Sequence, residues 1–480
     1  MERTLWCLNR AADLIQGNEE AFRNKYAGRL NLADRTRFNK GYKPTEGDIA
    51  YNLMPSIEYF VPAVPKCIGS RFNNVLANPM MYPELDLIHD LYVNHYKQPD
   101  YTYYWDGGSK ANDDCFMATA DYMGYYEILE KTAPNILVGY SQGGLVARFL
   151  AYLDQCVFNK GADNRVIDAI VTISSPISGS PLANPANKSN ILSAFKDLLR
   201  CIHISILSDS SDSIEKRADD DLAALPADER LQQISIQKEL IYIRNLLQKI
   251  CPDSAKELIN VLNTWIACIN WLGGLENQPN TAFFDLSIGK LDDQMSVLHC
   301  VNTPLRLPQK AILSTNNDAR HLLDDTSAYV IAHSRQHLAN WLHRSTGPLS
   351  WQAVEDDFIQ SYSGPANTFS PIKIDYDRIN AIFMDQIMVE NISEPWENPL
   401  IDERIRQYEN GIGEIDINRC AHDFIIPSSY QLFEQKPLPT YNQPNPLANH
   451  RTGASYSYDA GKKNYTLITD FLDDFLQHNQ

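Results

Sequence analysis

The chain has no stretch of 18 uninterrupted apolar residues, so no segment reads as a membrane-spanning helix. It also lacks the apolar core of a secretory signal, because charges interrupt every apolar run of MERTLWCLNRAADLIQGNEEAF. Positive charge is scarce. With 42 Lys and Arg against 60 Asp and Glu, the formal net charge is −18. That balance argues against nucleic acid, whose phosphates need a basic face, and removes electrostatic help at an anionic membrane. There is no C-x-x-C pair. The nine cysteines (Cys7, Cys67, Cys115, Cys156, Cys201, Cys251, Cys268, Cys300, Cys420) are odd in number and scattered. Reduced thiols fit this usage better than a disulfide framework or a zinc site. No internal repeat of fixed period is present either.

What the chain does have is length and apolar content. At 480 residues, 44% of them hydrophobic, it can bury a sizeable core and hold two or three domain-sized units. It reads as soluble and globular. From about residue 56 to 184, strand-like and helical patterns alternate. SIEYFVPAV and YTYYWD are aromatic and β-branched, with PELDLIHDLYVNHYK at helical spacing between them. NILVGY and DAIVTISS repeat the pattern around a helical GGLVARFLAYLDQ. Such alternation predicts an α/β fold with a parallel sheet covered on both faces.

A long, mostly helical region then runs to roughly 400. It holds an acidic patch, SDSSDSIEKRADDDL, and a richly apolar run, VLNTWIACINWLGGL. Alternation returns in GEIDINRCAHDFIIPSSYQLF and NYTLITDFLDDFL. The expected organisation is an N-terminal helical extension (1–55), an α/β core (56–184 and 405–480) and a helical insertion (185–404).

The most informative stretch is Gly139-Tyr140-Ser141-Gln142-Gly143, between the strand-like ILV and the helical LVARFLAYL. A serine hydroxyl is a poor nucleophile at neutral pH. To react it must be exposed, beside a base, and near donors that hold an oxyanion. A sharp strand-to-helix turn supplies the exposure, and glycines two before and two after let the backbone pass close to itself. The turn also aims a helix N-terminus at the reacting atom.

On these residues the chain resembles the lipases and esterases of the α/β-hydrolase family. GYSQGGLVARFLAYL is similar to the elbow and helix of bacterial lipases. VTISSPISGSPLAN is similar to a T-P-H-x-G-S stretch of that group, departing from it at Ser175 and Ile177. The resemblance covers about residues 56–184 and 285–475 and implies an α/β-hydrolase fold with the helical insertion as a cap. It also implies a chain order of Ser, then Asp or Glu, then His.

His450, in the Pro/Asn/Gly-rich PLANHRTGASYS, is the candidate base. Two carboxylates qualify as its partner. Asp423 in INRCAHDFIIPSSYQLF lies 27 positions earlier and resembles the D-x-x-V-P-x-x-S stretch around the family's acid. Asp318 in KAILSTNNDARH also follows an apolar run, at 132 positions from His450, and is the second choice. His422, beside Asp423, stands as a competitor for His450.

Ser141 would attack an ester carbonyl, His450 would shuttle the proton, and Asp423 would orient the imidazolium. The backbone N–H of Gln142 is the expected oxyanion donor, with a second from residues 66–71, Gly69 being the most permissive. VPAVPKCIGSRFNN lacks the H-G-G-G signature of many lipases.

Weaker constellations complete the inventory. His333 and His337 share a helical face, with His343 and Asp324 near in sequence. No further ligand stands at a recognisable spacing, so neither metal nor cofactor is expected. Trp265 and Trp271 read as core packing of a cap helix, or as a lid touching lipid. The acidic run from Ser208 to Asp221 reads as solvated surface.

The expected partner is a lipid or small ester substrate, with transient contact to a lipid surface through the cap. An acyltransferase with the same triad and an inactive interaction module are the competing readings. The expected location is the cytoplasm, or the exterior reached without a Sec signal. The latter is the habit of the lipase-like effectors that intracellular bacteria inject, which the chain resembles in lacking that signal.

Overall fold

The computed structural model describes residues 2–8, 10–35, 134–158, 165–183, 188–207, 229–250, 255–272, 286, 297–322, 375–383, 421–433 and 440–478. Among these residues six strands form one all-parallel sheet: β1 (Arg3–Leu8), β2 (Leu30–Arg35), β3 (Asn135–Tyr140), β4 (Ile167–Ile173), β5 (Gln309–Ser314) and β6 (Thr440–Asn445). Their spatial order is β2-β1-β3-β4-β5-β6. The fold is therefore α/β.

The central strands are short continuous apolar runs because both sheet faces are covered. Every residue of NILVGY and QKAILS is buried. Alternate side chains Leu5, Cys7, Ile136, Val138, Ala169, Val171 and Ile173 share a core with helices α1 (Ala11–Gln16) and α2 (Glu19–Tyr26). The same core takes in the last helix, Asp459–His478. That helix presents Leu467, Ile468, Phe471, Leu472, Phe475 and Leu476, a spacing that makes one apolar stripe. Each such buried side chain contributes about 1.5–3 kcal/mol relative to exposure. Helix α3 (Gln142–Tyr152) packs on β3 and β4; a methyl at its Gly144 would lie 3.0 Å from Thr172 Cγ2.

The chain divides into two compact units. The first comprises Met1–Pro185, Leu275–Asn316 and Ser393–Gln480; the second comprises Ala186–Gly274 and Asn317–Ile392. Two expected boundaries are corrected. Residues 3–35 are not a helical extension, since β1 lies inside the sheet between β2 and β3 and pairs with both. Nor is 185–404 one continuous insertion. KAILS returns to the sheet as β5, paired with β4 and β6, so the second unit is built from two separate segments.

That second unit is helical in its described parts, with helices at Lys188–Leu207, Glu229–Ile250, Lys256–Leu272 and Tyr376–Ile382. Trp265 is buried in its interior, 5.4 Å from the Phe195 ring and 5.1 Å from that of Phe383. This ring is core packing of its own unit. The Trp271 side chain, SIEYFVPAV, YTYYWD, PELDLIHDLYVNHYK and the run from Ser208 to Asp221 lie outside the described residues.

Candidate functional site

From β1 the chain crosses to β2 on one side, whereas from β3 it proceeds to β4, β5 and β6 on the other. β1 and β3 are thus neighbours whose connections diverge, and α/β sheets leave a ligand crevice at the carboxyl ends of such a pair. Ser141 is the first residue beyond β3 and the residue before α3.

Its backbone stands at φ 52, ψ −128, a conformation that costs a non-glycine residue about 1–3 kcal/mol. The surroundings hold it there. Ser141 N donates to Ile173 O at 2.8 Å, and Ser141 O accepts from Gly144 N at 2.9 Å. The glycines are required by close backbone approach. A Cβ at Gly139 would sit 2.3 Å from Gly143 O and 2.6 Å from Gly144 Cα. One at Gly144 would meet the Ser175 side chain.

His450 follows β6 and joins two partners. Its Nε2 is 3.0 Å from Ser141 Oγ, and its Nδ1 is 2.8 Å from Asp423 Oδ2. An ionised carboxylate only accepts, so Nδ1 carries the proton and Nε2 is left to accept from the hydroxyl. The loop is fixed from several sides. The Tyr140 hydroxyl donates to His450 O. Asn449 Oδ1 accepts from the backbone N–H groups of Arg451 and Thr452 at 3.0 and 2.9 Å.

Asp423 is fully buried while the His450 side chain is 12% exposed. A buried carboxylate is tolerated only when paired and hydrogen-bonded. Oδ1 accepts from Ile425 N at 3.0 Å and Ile426 N at 2.7 Å, an Asx-type turn, leaving Oδ2 for His450. The turn is tight enough to put Phe424 at φ 71 and to bridge His422 with Pro427.

His422 does not compete with His450. Its Nδ1 accepts from Phe424 N at 3.1 Å, and burial pushes its pKa down to about 3, so the ring stays neutral. Of the two candidate acids, Asp423 makes the bond to His450. Asp318 caps a short turn and pairs with the Arg320 guanidinium, which holds its carboxyl below the usual range.

Gln142 opens α3, where first-turn N–H groups have no intrahelical acceptor. Gly69 lies outside the described residues, as do His333, His337, His343 and Asp324. Two features went unread in the sequence. Leu8, the last residue of β1, is in register with Gly139, two residues before Ser141. Tyr140, apolar in pattern, carries the hydroxyl that holds the His450 loop. Neither carries a local sequence signal, since both depend on strand pairing.

Among the described residues no group of three His, Cys, Asp or Glu is placed to hold a metal ion. No helix among them is long and apolar enough to cross a membrane. Comparison of the chain with protein-family models finds no match, and comparison with curated proteins finds none either.

Proposed function

We propose that the chain is a serine carboxylic-ester hydrolase acting through Ser141, His450 and Asp423. The observation that carries this reading is the His450 ring bridging Ser141 Oγ at 3.0 Å and Asp423 Oδ2 at 2.8 Å, at a strand-to-helix turn of positive φ. In the reaction His450 Nε2 takes the hydroxyl proton as Ser141 Oγ adds to the ester carbonyl. It then returns that proton to the leaving alkoxide, freeing the alcohol and an acyl-enzyme that water hydrolyses. Asp423 holds Nδ1–H and stabilises the imidazolium. The Gln142 N–H is one oxyanion donor; the second comes from residues 66–71, with Gly69 the most permissive, or from beside the end of β1, where Leu8 is in register with Gly139.

The finer fold reading, an α/β-hydrolase with a helical cap, belongs to the same proposal. Ser141 follows β3, Asp423 comes after β5 and His450 follows β6, in agreement with that family's order. The second unit enters the chain after β4 and again after β5, consistent with elaboration beyond strand ends. A lipid ester is the proposed substrate class.

Fluorophosphonate labelling of wild type and of Ser141→Ala, Asp423→Asn and His450→Ala tests the reading. p-Nitrophenyl esters of increasing chain length then separate esterase from lipase. Labelling that vanishes in Ser141→Ala and collapses in His450→Ala is the expected result. Folded wild type that neither labels nor cleaves any ester overturns the proposal.

A further inference from the structure

We infer that Gln431 is a positioning residue for this site, clamping the Asp423 carboxylate to the end of β5; the inference rests on the proposed serine-hydrolase reading and deepens it. Gln431 ends the 3-10 turn Ser428–Gln431, eight residues beyond Asp423, and is buried. Its Oε1 accepts from Ser314 N at 2.9 Å. A backbone N–H only donates, so that contact fixes the carboxamide's orientation and turns Nε2 toward the acid turn. Nε2 lies 3.4 Å from Asp423 Oδ2, and equally far from Ile426 O and Ser314 O.

The two Asp423 oxygens differ in what holds them. Oδ1 has two backbone N–H donors on its own turn. Oδ2, the oxygen that meets His450, has the imidazole and Gln431. Gln431 is therefore the donor that ties this oxygen to the sheet independently of the histidine.

The tie continues toward the serine. Ser314 Oγ contacts Ser174 Oγ at 2.5 Å, Ser174 N donates to Ile312 O at 3.0 Å, and Ser141 N donates to the adjacent Ile173 O. Bonded groups at the ends of β4 and β5 thus connect the Ser141 turn to the Asp423 turn. A carboxamide suits the position because it is neutral and offers an acceptor to Ser314 and a donor to Asp423. Methionine fills the volume with neither function, and glutamate puts a second carboxylate beside the first.

Three variants test this. Gln431→Met should lower kcat about tenfold with KM within twofold, the effect of losing one hydrogen bond that orients a catalytic group. Gln431→Glu keeps an acceptor for Ser314 and should move the acid limb of the kcat/KM profile to higher pH. Two adjoining carboxylates retain a proton, or hold His450 protonated, to higher pH. Ser428→Ala removes the 2.8 Å bond from Ser428 Oγ to Ser314 O in the same turn without touching Asp423, and should leave rate and pH profile unchanged.

The downfield proton resonance of His450 Nδ1–H supplies a readout that needs no turnover, and Gln431→Met should shift or broaden it. Unaltered resonance, rate and acid limb in the Gln431 variants would overturn the inference. A loss in Ser428→Ala equal to that in Gln431→Met would overturn it too, by making the role merely structural. Wild type that fails to label while the resonance responds to Gln431→Met counts against the hydrolase reading and in favour of the clamp.

Discussion

His450 and Asp423 are joined twice: imidazole Nδ1 meets carboxylate Oδ2 at 2.8 Å, and the His450 backbone N–H donates to the Asp423 carbonyl at 3.2 Å. The main-chain bond keeps the two loops together whatever the side chains do. Asp423→Asn should therefore leave the fold intact. Its amide, however, would donate to Nδ1 and force the proton onto Nε2, which then cannot accept from Ser141. The labelling rate should fall about 10³- to 10⁴-fold, as expected for loss of the correct tautomer. Asp318→Asn should change it less than twofold, since that carboxylate serves Arg320. Equal losses in the two variants would contradict the assignment of the acid.

Gly139 and Gly28 separate close approach from backbone conformation. The three atoms nearest a methyl at Gly139 are all backbone, at 2.3–2.6 Å, and backbone cannot step aside cheaply. Gly28 stands at φ 71, and a methyl there would have nothing within 4 Å. Gly28→Ala should cost about 1 kcal/mol in urea unfolding, the penalty for an L-residue in the left-handed region. Gly139→Ala should cost several times more or yield no folded protein. Similar midpoints for the two would refute the crossing of strand and helix at Ser141.

How much of this was legible follows from where the signals are local. NILVGY, the serine turn, its helix and DAIVTIS announced themselves because apolar run, glycines and helical spacing occur within a short span of sequence. β1 did not. TLWCL is five residues between polar neighbours, and a short apolar run does not distinguish strand from helix by periodicity. β6 was illegible for another reason. TYNQPN has no apolar run because it is an edge strand among the described residues, where Pro444 is tolerated and polar groups find local partners. Asn442 bonds both N–H and C=O of Phe433, and Asn445 bonds Asn464 and Ala460 O. The order of Ser141, Asp423 and His450 was readable from motif spacing. The clamp by Gln431 was not, because it depends on Ser314 arriving from β5.

His422 should make the protein acid-sensitive. The unfolded chain takes up a proton near pH 6.5, whereas the folded ring, buried, refuses it until about pH 3. The unfolded state thus binds more protons across that window, and stability falls as pH drops from 6.5 toward 3. His422→Asn keeps a short acceptor for Phe424 N and removes the titration. Urea unfolding at pH 4.5 and 7 should show a loss smaller by about 1–3 kcal/mol in the variant. Parallel losses would mean that the imidazole is not buried neutral.

Lys310 acts at higher pH and in the same direction. It lies on β5, buried, with Nζ donating to Leu467 O of the last helix at 2.9 Å. Burial pulls its pKa down to about 8, against the attraction of Asp470 and Asp474. Between pH 8 and 10.5 the unfolded chain holds a proton that the folded one has released, so this lysine makes stability rise with pH across that interval. Below pH 8 it is charged in both states, and its desolvation weighs fully against folding. Lys310→Met removes the charge and retains the aliphatic stem. Leu467 O, inside the helix, keeps its own intrahelical acceptor role. The variant should be more stable than wild type at pH 7 by about 1–3 kcal/mol, and the two urea-unfolding curves should converge as pH approaches 10.5. A constant difference from pH 7 to 10.5 would show that the Nζ proton is not what separates them, and that Lys310 acts by packing and its bond to Leu467 alone.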